Sequence, residues 1–303
     1  MSTKKPNKQA IGTIQKLLAS ALYGSMGLWA VLMAGTFAVF NQAYIRATII
    51  LVILTVVGFT TKQFRKIKKK DWKWFLLIML GGLNAAPSYY GFIHLGSSIG
   101  TLIFIVALVV GGYLLARFFF QEKITAIKLA SLVIATAGLL VIYRFGLSAD
   151  QIWPAIVMTV AGLMAAMSNV LPKKLTNVGY PQVHIMTMMF LSVLAVFLIC
   201  SIITREGLPV FGWNMAWIAL IVYALAHISA MYLSVTSFKV LDASVGSLLE
   251  FSEIIFGVLL GIIFLGEEFL PIKVVGFILI TLGLSLEHLV AIYTSRRRHR
   301  VIQ

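Results

Sequence analysis

Two glutamates stand three positions apart in "GSLLEFSEIIFG", residues 246–257, inside a run otherwise built of apolar and small side chains. A carboxylate within an apolar span is costly, avoids lipid and tends to mark a substrate or ion pathway. A close pair can exchange a proton for a substrate cation. Glu253 and Glu250 are therefore expected in substrate binding or proton coupling, the alternative for Glu253 being that it accepts buried hydrogen bonds and locks helices together, and for Glu250 likewise a structural role. At about 100° per residue, Gly246, Glu250, Glu253, Gly257 and Gly261 share one narrow stripe. Small residues mark close helix contacts and ionisable ones turn from lipid, so that face is expected to look into protein or water.

Other polar residues fall on comparable faces. His227 shares a stripe with Tyr223, Ala230 and Ser234, and reads either as a proton relay or as a hydrogen-bonded core histidine. His184 and His94 read as interfacial. In "GGLNAAPSYYG", Asn84, Ser88 and Gly91 lie along one side while Pro87 removes a backbone donor. This is a plain kink, or loosened backbone lining a cavity. Asn169 lies with Gly162, Ala165 and Pro172, and Ser20 with Gly24 and Gly27, on faces that suit packing first and ligand contact second. Trp29, Tyr23, Tyr89 and Tyr90 can form aromatic walls for an ammonium group. Arg46 is expected to snorkel outward. The candidate substrate-binding or proton-coupling set is thus Glu253, Glu250, His227, Asn84, Ser88, Tyr90, Asn169 and Trp29.

These residues need helices that cross a bilayer. Of 303 residues, 60% are hydrophobic and 12% charged, more apolar surface than one soluble core of this length buries. A span takes roughly 20 apolar residues at about 1.5 Å each, and ten such runs occur, near 17–38, 42–61, 74–95, 98–119, 125–143, 152–172, 182–203, 214–238, 242–265 and 271–293. Glu253 lies eleven residues, roughly 16 Å, from the cytoplasmic end of its run, near the midplane. The apolar run after the first lysines exceeds a signal-peptide core and is read as the first helix.

The net charge of +15 is a matter of position. With ten spans and a cytoplasmic N-terminus, 21 of the 25 basic residues fall inside, Lys16 and the cluster "KQFRKIKKKDWK" among them, and only Arg144, Arg205 and Lys273 fall outside. Both termini therefore read as cytoplasmic, and no nucleic-acid partner is implied. The single cysteine, Cys200, permits no intramolecular disulfide. There is no H-E-x-x-H pair, no aspartate pair within a span and no serine in a G-x-S-G setting; Asp71, Asp150 and Asp242 all lie at helix ends. An enzyme, a metal centre and a cofactor are not expected.

The chain also resembles itself. Aligning Gly112 with Gly257 brings Leu114, Leu115, Phe119, Glu122, Ile127, Lys128, Thr136, Gly138 and Leu139 onto identical residues. One residue further in offset, Phe92, Ser98, Gly100 and Leu102 meet Phe238, Ser244, Gly246 and Leu248. A duplication of five helices places the second copy upside down in the membrane, the arrangement of transporters whose site lies between the halves.

Several features together resemble the drug/metabolite transporter superfamily and its EamA-like family. They are "YGS" at Tyr23–Ser25, Arg46 in "YIRATI", "SFKVLDASVGSLL", a glutamate followed fourteen residues on by "LGEE", and the loops of Glu122 and Glu267. Ile254 and Val109 stand where such proteins often carry proline, which leaves helices 9 and 4 continuous. The resemblance implies an all-α membrane protein of ten helices in two inverted repeats, with helices 1, 3, 4, 6, 8 and 9 nearest the pathway. The expected organisation is a basic segment 1–16, repeats 17–146 and 147–293, and a basic tail 294–303. The expected activity is secondary transport, outward by family likeness, of a small metabolite such as an amino acid or amine. It proceeds by alternating access across a cytoplasmic membrane of bacterial inner-membrane type, with a coupling proton. A multidrug or organic-cation carrier and a purely structural membrane protein are the alternatives. Expected partners are the small-molecule substrate, a proton and membrane lipids, in a monomer or homodimer.

Overall fold

The computed structural model describes residues 8–143, 147–266, 268 and 270–301, with side chains described as far as Leu286 and at Val290. Arg144, Glu267, Lys4 and Lys5, and the side chains of Arg296, Arg297, Arg298 and Arg300, lie outside the described residues. No strand occurs among those described. This follows from the composition, because apolar runs in hydrocarbon must satisfy every backbone N–H and C=O within the segment, and helices do so locally.

The helices are α1 (Lys8–Gly24), α2 (Met26–Met33), α3 (Val39–Thr60), α4 (Trp72–Gly82), α5 (Ala85–Phe120), α6 (Ala126–Tyr143), α7 (Ile152–Val170), α8 (Pro172–Asn177), α9 (Gln182–Ile203), α10 (Met215–Ser237), α11 (Ala243–Leu248), α12 (Ser252–Leu265) and α13 (Pro271–Val301). Among the described residues, eight helical segments are long and apolar enough to cross a membrane: 8–33, 39–60, 69–120, 126–143, 149–177, 182–203, 215–237 and 243–265. Residues 271–286 form a shorter apolar helix. The 52-residue segment 69–120 would measure about 78 Å if straight, far more than the roughly 30 Å hydrocarbon core. It is broken at Gly96, whose φ of 75° and ψ of 166° no helix accommodates.

Two differences from the sequence reading bear directly on the site. The first span begins at Lys8, nine residues early, and holds Lys16 well inside it. The span 243–265 is not continuous despite lacking proline: a 3₁₀ turn, Leu249–Phe251, separates α11 from α12. The Leu249 carbonyl there accepts from the hydroxyls of Ser252 (2.6 Å) and Ser20 (3.3 Å), so serine hydroxyls take part of the role that a proline-loosened backbone would create.

Small residues set the helix contacts, as expected where lipid offers no hydrophobic drive to association. A methyl on Gly24 would come 2.7 Å from the Glu253 carbonyl, which seats α1 directly on α12. Gly111 meets Ala166 of α7, and Gly112 meets the Ser247 side chain of α11. The contact of α6 with α13 is reciprocal: Gly138 lies against the Gly276 carbonyl, and Gly283 against the Ser131 carbonyl. The main apolar core joins Leu102, Val109 and Tyr113 of α5 with Leu139, Phe251 and Ile280, and α3 packs on α9 through Ile50, Leu54, Met186 and Phe190.

Candidate functional site

Glu250 sits in the 3₁₀ turn and is 2% exposed. Its Oε1 is ion-paired with Lys16 Nζ and accepts from Asn169 Nδ2 at 2.7 Å. The same ammonium donates to Ser234 Oγ at 2.6 Å, whose hydroxyl donates to Asn169 Oδ1 at 3.4 Å. Lys16 has no exposed surface and lies 4.7 Å from the Phe238 ring centroid. Four helical elements thus meet on one neutralised pair: α1, α7, α10 and the turn before α12. Burying two charges is tolerable only with close pairing and satisfied hydrogen bonds, and both conditions are met.

Lys16 belongs to this network, a correction to its reading as a cytoplasmic surface charge. Its signal was present in the sequence, since Gly12, Lys16, Ala19 and Ser20 recur at helical spacing and form the buried face of α1.

Glu253, three residues on, opens α12 and is partly buried. Among the described residues it accepts no hydrogen bond and joins none of the four ion pairs. Tyr23 and Tyr223 lie within electrostatic reach of it. His227 stands among the same rings, with centroids 5.9 Å from Tyr23, 5.1 Å from Phe190 and 6.1 Å from Tyr223, the last stacked at 18°. Among the described residues its Nδ1 is buried without a hydrogen-bond partner, an uncommon state for a buried polar atom. His227→Gln is expected to preserve folding and to change the pH profile of transport in reconstituted vesicles; an unchanged profile assigns the ring to packing.

Arg46 does not snorkel. It is 9% exposed and its Cζ lies 4.0 Å from the Tyr223 ring centroid. α3 starts at Val39, so Arg46 is seven residues, about 10 Å, inside its helix, on the buried face of Ala43, Ala47 and Ile50. It has no carboxylate partner among the described residues.

The other candidates are dispersed. Asn84 Nδ2 donates to the Gly81 carbonyl (2.7 Å), and Ser88 Oγ donates to the Asn84 carbonyl (2.5 Å). Both mend the junction between α4 and α5. Tyr90 is 37% exposed and faces outward, its ring 4.4 Å from His94. Trp29 lies in the separate helix α2, donates to Ser25 Oγ at 2.9 Å, and packs with Met33, Phe37 and Tyr223. His184, in the first turn of α9, is buried there, ringed by Phe64, Phe75 and Tyr180.

A second polar cluster lies at the ends of α5, α6, α8 and α11. Glu122 accepts from the backbone N–H groups of Ala243 (2.5 Å) and Ser244 (3.1 Å), where the N-terminus of α11 favours negative charge. Its carboxylate lies 3.9 Å from Lys128 and 3.6 Å from Lys173, and Lys128 also pairs with Asp242 at 3.2 Å.

Repeated helices long and apolar enough to cross a bilayer, with polar networks buried among them, define an integral, multi-pass membrane protein. Residues 152–286, just under half of the chain, match the EamA-like transporter family, part of the drug/metabolite transporter superfamily. A solved crystal structure, described only as that of a protein, shares the fold with a TM-score of 0.77. It covers 94% of this chain and 99% of its own at 16% identity. No curated protein matches the sequence.

Proposed function

We propose that the chain is a ten-span secondary transporter of two inverted five-helix repeats, 17–146 and 147–293, with both termini in the cytoplasm. It carries a small amine or amino acid outward across a cytoplasmic membrane in exchange for protons. The break at Gly96 supports two spans within 69–120, and 271–286 supports the last. The reciprocal contact of α6 and α13 supports the inverted duplication. Gly138 corresponds to Gly283, and Ser131 to Gly276, at the offset seen in the sequence, so residue and partner exchange places as across a two-fold axis.

One observation carries the site: Glu250 is saturated by Lys16 and Asn169, whereas Glu253 is left without a hydrogen-bond or ion-pair partner among the described residues, with Tyr23 and Tyr223 within electrostatic reach. An ammonium group fits there, attracted by the carboxylate and by ring faces. Arg46 supplies the complementary half. Without a carboxylate partner among the described residues and held over Tyr223, which also feels Glu253, it offers a fork for a carboxylate. This favours an amino acid over a simple amine and over a multidrug cation. Alternating access then means rocking the halves about this site, with release of the Glu122 cluster opening the end it ties. Asn84, Ser88, Trp29 and Tyr90 act, on this reading, in helix geometry and the outer surface.

Flux of labelled amino acids and of primary amines into proteoliposomes tests it. Arg46→Gln is expected to cut amino-acid flux at least tenfold while sparing amine flux, consistent with about 2 kcal/mol or more for a buried charged contact. Equal loss of both removes Arg46 from recognition, and no flux of either class in the wild type overturns the transport reading.

A further inference from the structure

The strap between α3 and α4 carries Lys66, Lys68, Lys69 and Lys70, with Lys73 the second residue of α4, all exposed. It is a built surface rather than a loose loop. Arg65 donates from its backbone to His184 Nδ1 (3.4 Å) and from its guanidinium to the Gly179 carbonyl (2.9 Å). The Lys68 N–H donates to Tyr180 Oη (3.0 Å), and that hydroxyl donates to Asp71 Oδ2 (2.9 Å). Asp71, the only acidic residue in the stretch, is buried and spent on Tyr180. None of the five lysines has an ion-pair partner among the described residues. Lys69, Lys70 and Lys73 also crowd the N-terminus of α4, where the helix dipole is positive and the Asp71 side chain provides no cap. Like charges gathered there are unfavourable unless an anion joins them.

Directly below Lys73, a groove of about 740 Å³ runs between α4 and α9, lined by Leu76, Leu80, Leu83, Leu191 and Ala195. From Lys73 to Leu83 is ten residues, about 15 Å, half the thickness of a bilayer's hydrocarbon core. Trp72, 42% exposed beside the lysines, is an interfacial anchor. A row of unpaired cations at headgroup depth, continuous with an apolar channel one leaflet long, matches a two-part ligand.

We propose that this face is a binding site for one anionic phospholipid, its phosphate held by Lys70 and Lys73 and an acyl chain lying in the groove of α4 and α9. A zwitterionic lipid fits the groove but not the charge; a free phosphate fits the charge but not the groove.

Native mass spectrometry of the full chain, released from micelles doped with equal dioleoylphosphatidylglycerol and dioleoylphosphatidylcholine, tests this. The wild type is expected to retain phosphatidylglycerol preferentially. Lys70→Gln/Lys73→Gln should reduce that preference tenfold or more, at about fivefold per lysine near a membrane surface. The charge-matched control Lys8→Gln/Lys239→Gln, at exposed positions elsewhere, should change it less than twofold. Leu80→Trp, which fills the groove and keeps every lysine, should displace the lipid. Equal losses in the two double variants would reduce the effect to diffuse charge. Lipid retained by Leu80→Trp, or competition by glycerol phosphate as strong as by the lipid, would equally overturn the site.

Discussion

Glu253→Gln is expected to lower substrate flux by at least a hundredfold and to abolish substrate-driven proton movement, while the protein still folds and purifies as wild type. Removing one partner of a buried charge pair costs about 2–5 kcal/mol, and here the missing partner is the substrate, so the loss appears in binding rather than in folding. The neutral amide keeps the size of the side chain, and Glu253 has no hydrogen bond to forfeit among the described residues. Proteoliposomes with an internal pH dye read both quantities. Flux at the wild-type level would remove Glu253 from the mechanism, and a misfolded variant would show that its carboxylate serves structure.

Lys16→Met should act on folding instead. It strands the Glu250 carboxylate, 2% exposed, with Asn169 alone. An uncompensated buried charge costs about 3–5 kcal/mol, so the variant should lose most of its folded fraction under heating that the wild type survives. Lys16→Met/Glu250→Gln removes both charges and should recover most of that loss, because a neutral pair of similar volume has little desolvation to repay. A single variant as stable as the wild type, or a double variant worse than the single, would show that the pair does not form.

The contrast between these two variants also measures what the sequence could tell. The spans of α6, α9 and α10 agree with their apolar runs to within a residue, because length and hydropathy alone determine them. The two glutamates stood out for a related reason, as rare charges in an apolar run. Their division of labour was not legible. Lys16 and Glu250 are 234 residues apart, and helical periodicity reports which face a residue occupies but not which distant side chain meets it.

The same limit explains Arg46 and Tyr90. Distance from a helix end suggested that Arg46 reaches water, but the helix starts earlier and its arginine face is the packed one. Tyr90 stands two residues, roughly 200°, around the helix from Ser88, so one faces outward when the other is buried. Trp29 lies beyond a break at Ser25 that no proline announces. The 3₁₀ turn at Leu249–Phe251 depends on hydroxyls from Ser252 and from Ser20 of another helix, the latter a tertiary partner invisible in a single run of residues.

The most direct measurement is the number of protons released when a transported amine or amino acid saturates the purified protein in weakly buffered detergent. About one proton per substrate is expected for the wild type and for Lys16→Met/Glu250→Gln, and none for Glu253→Gln. Release that persists in Glu253→Gln, or that vanishes only in Lys16→Met/Glu250→Gln, would contradict a proton held by Glu253.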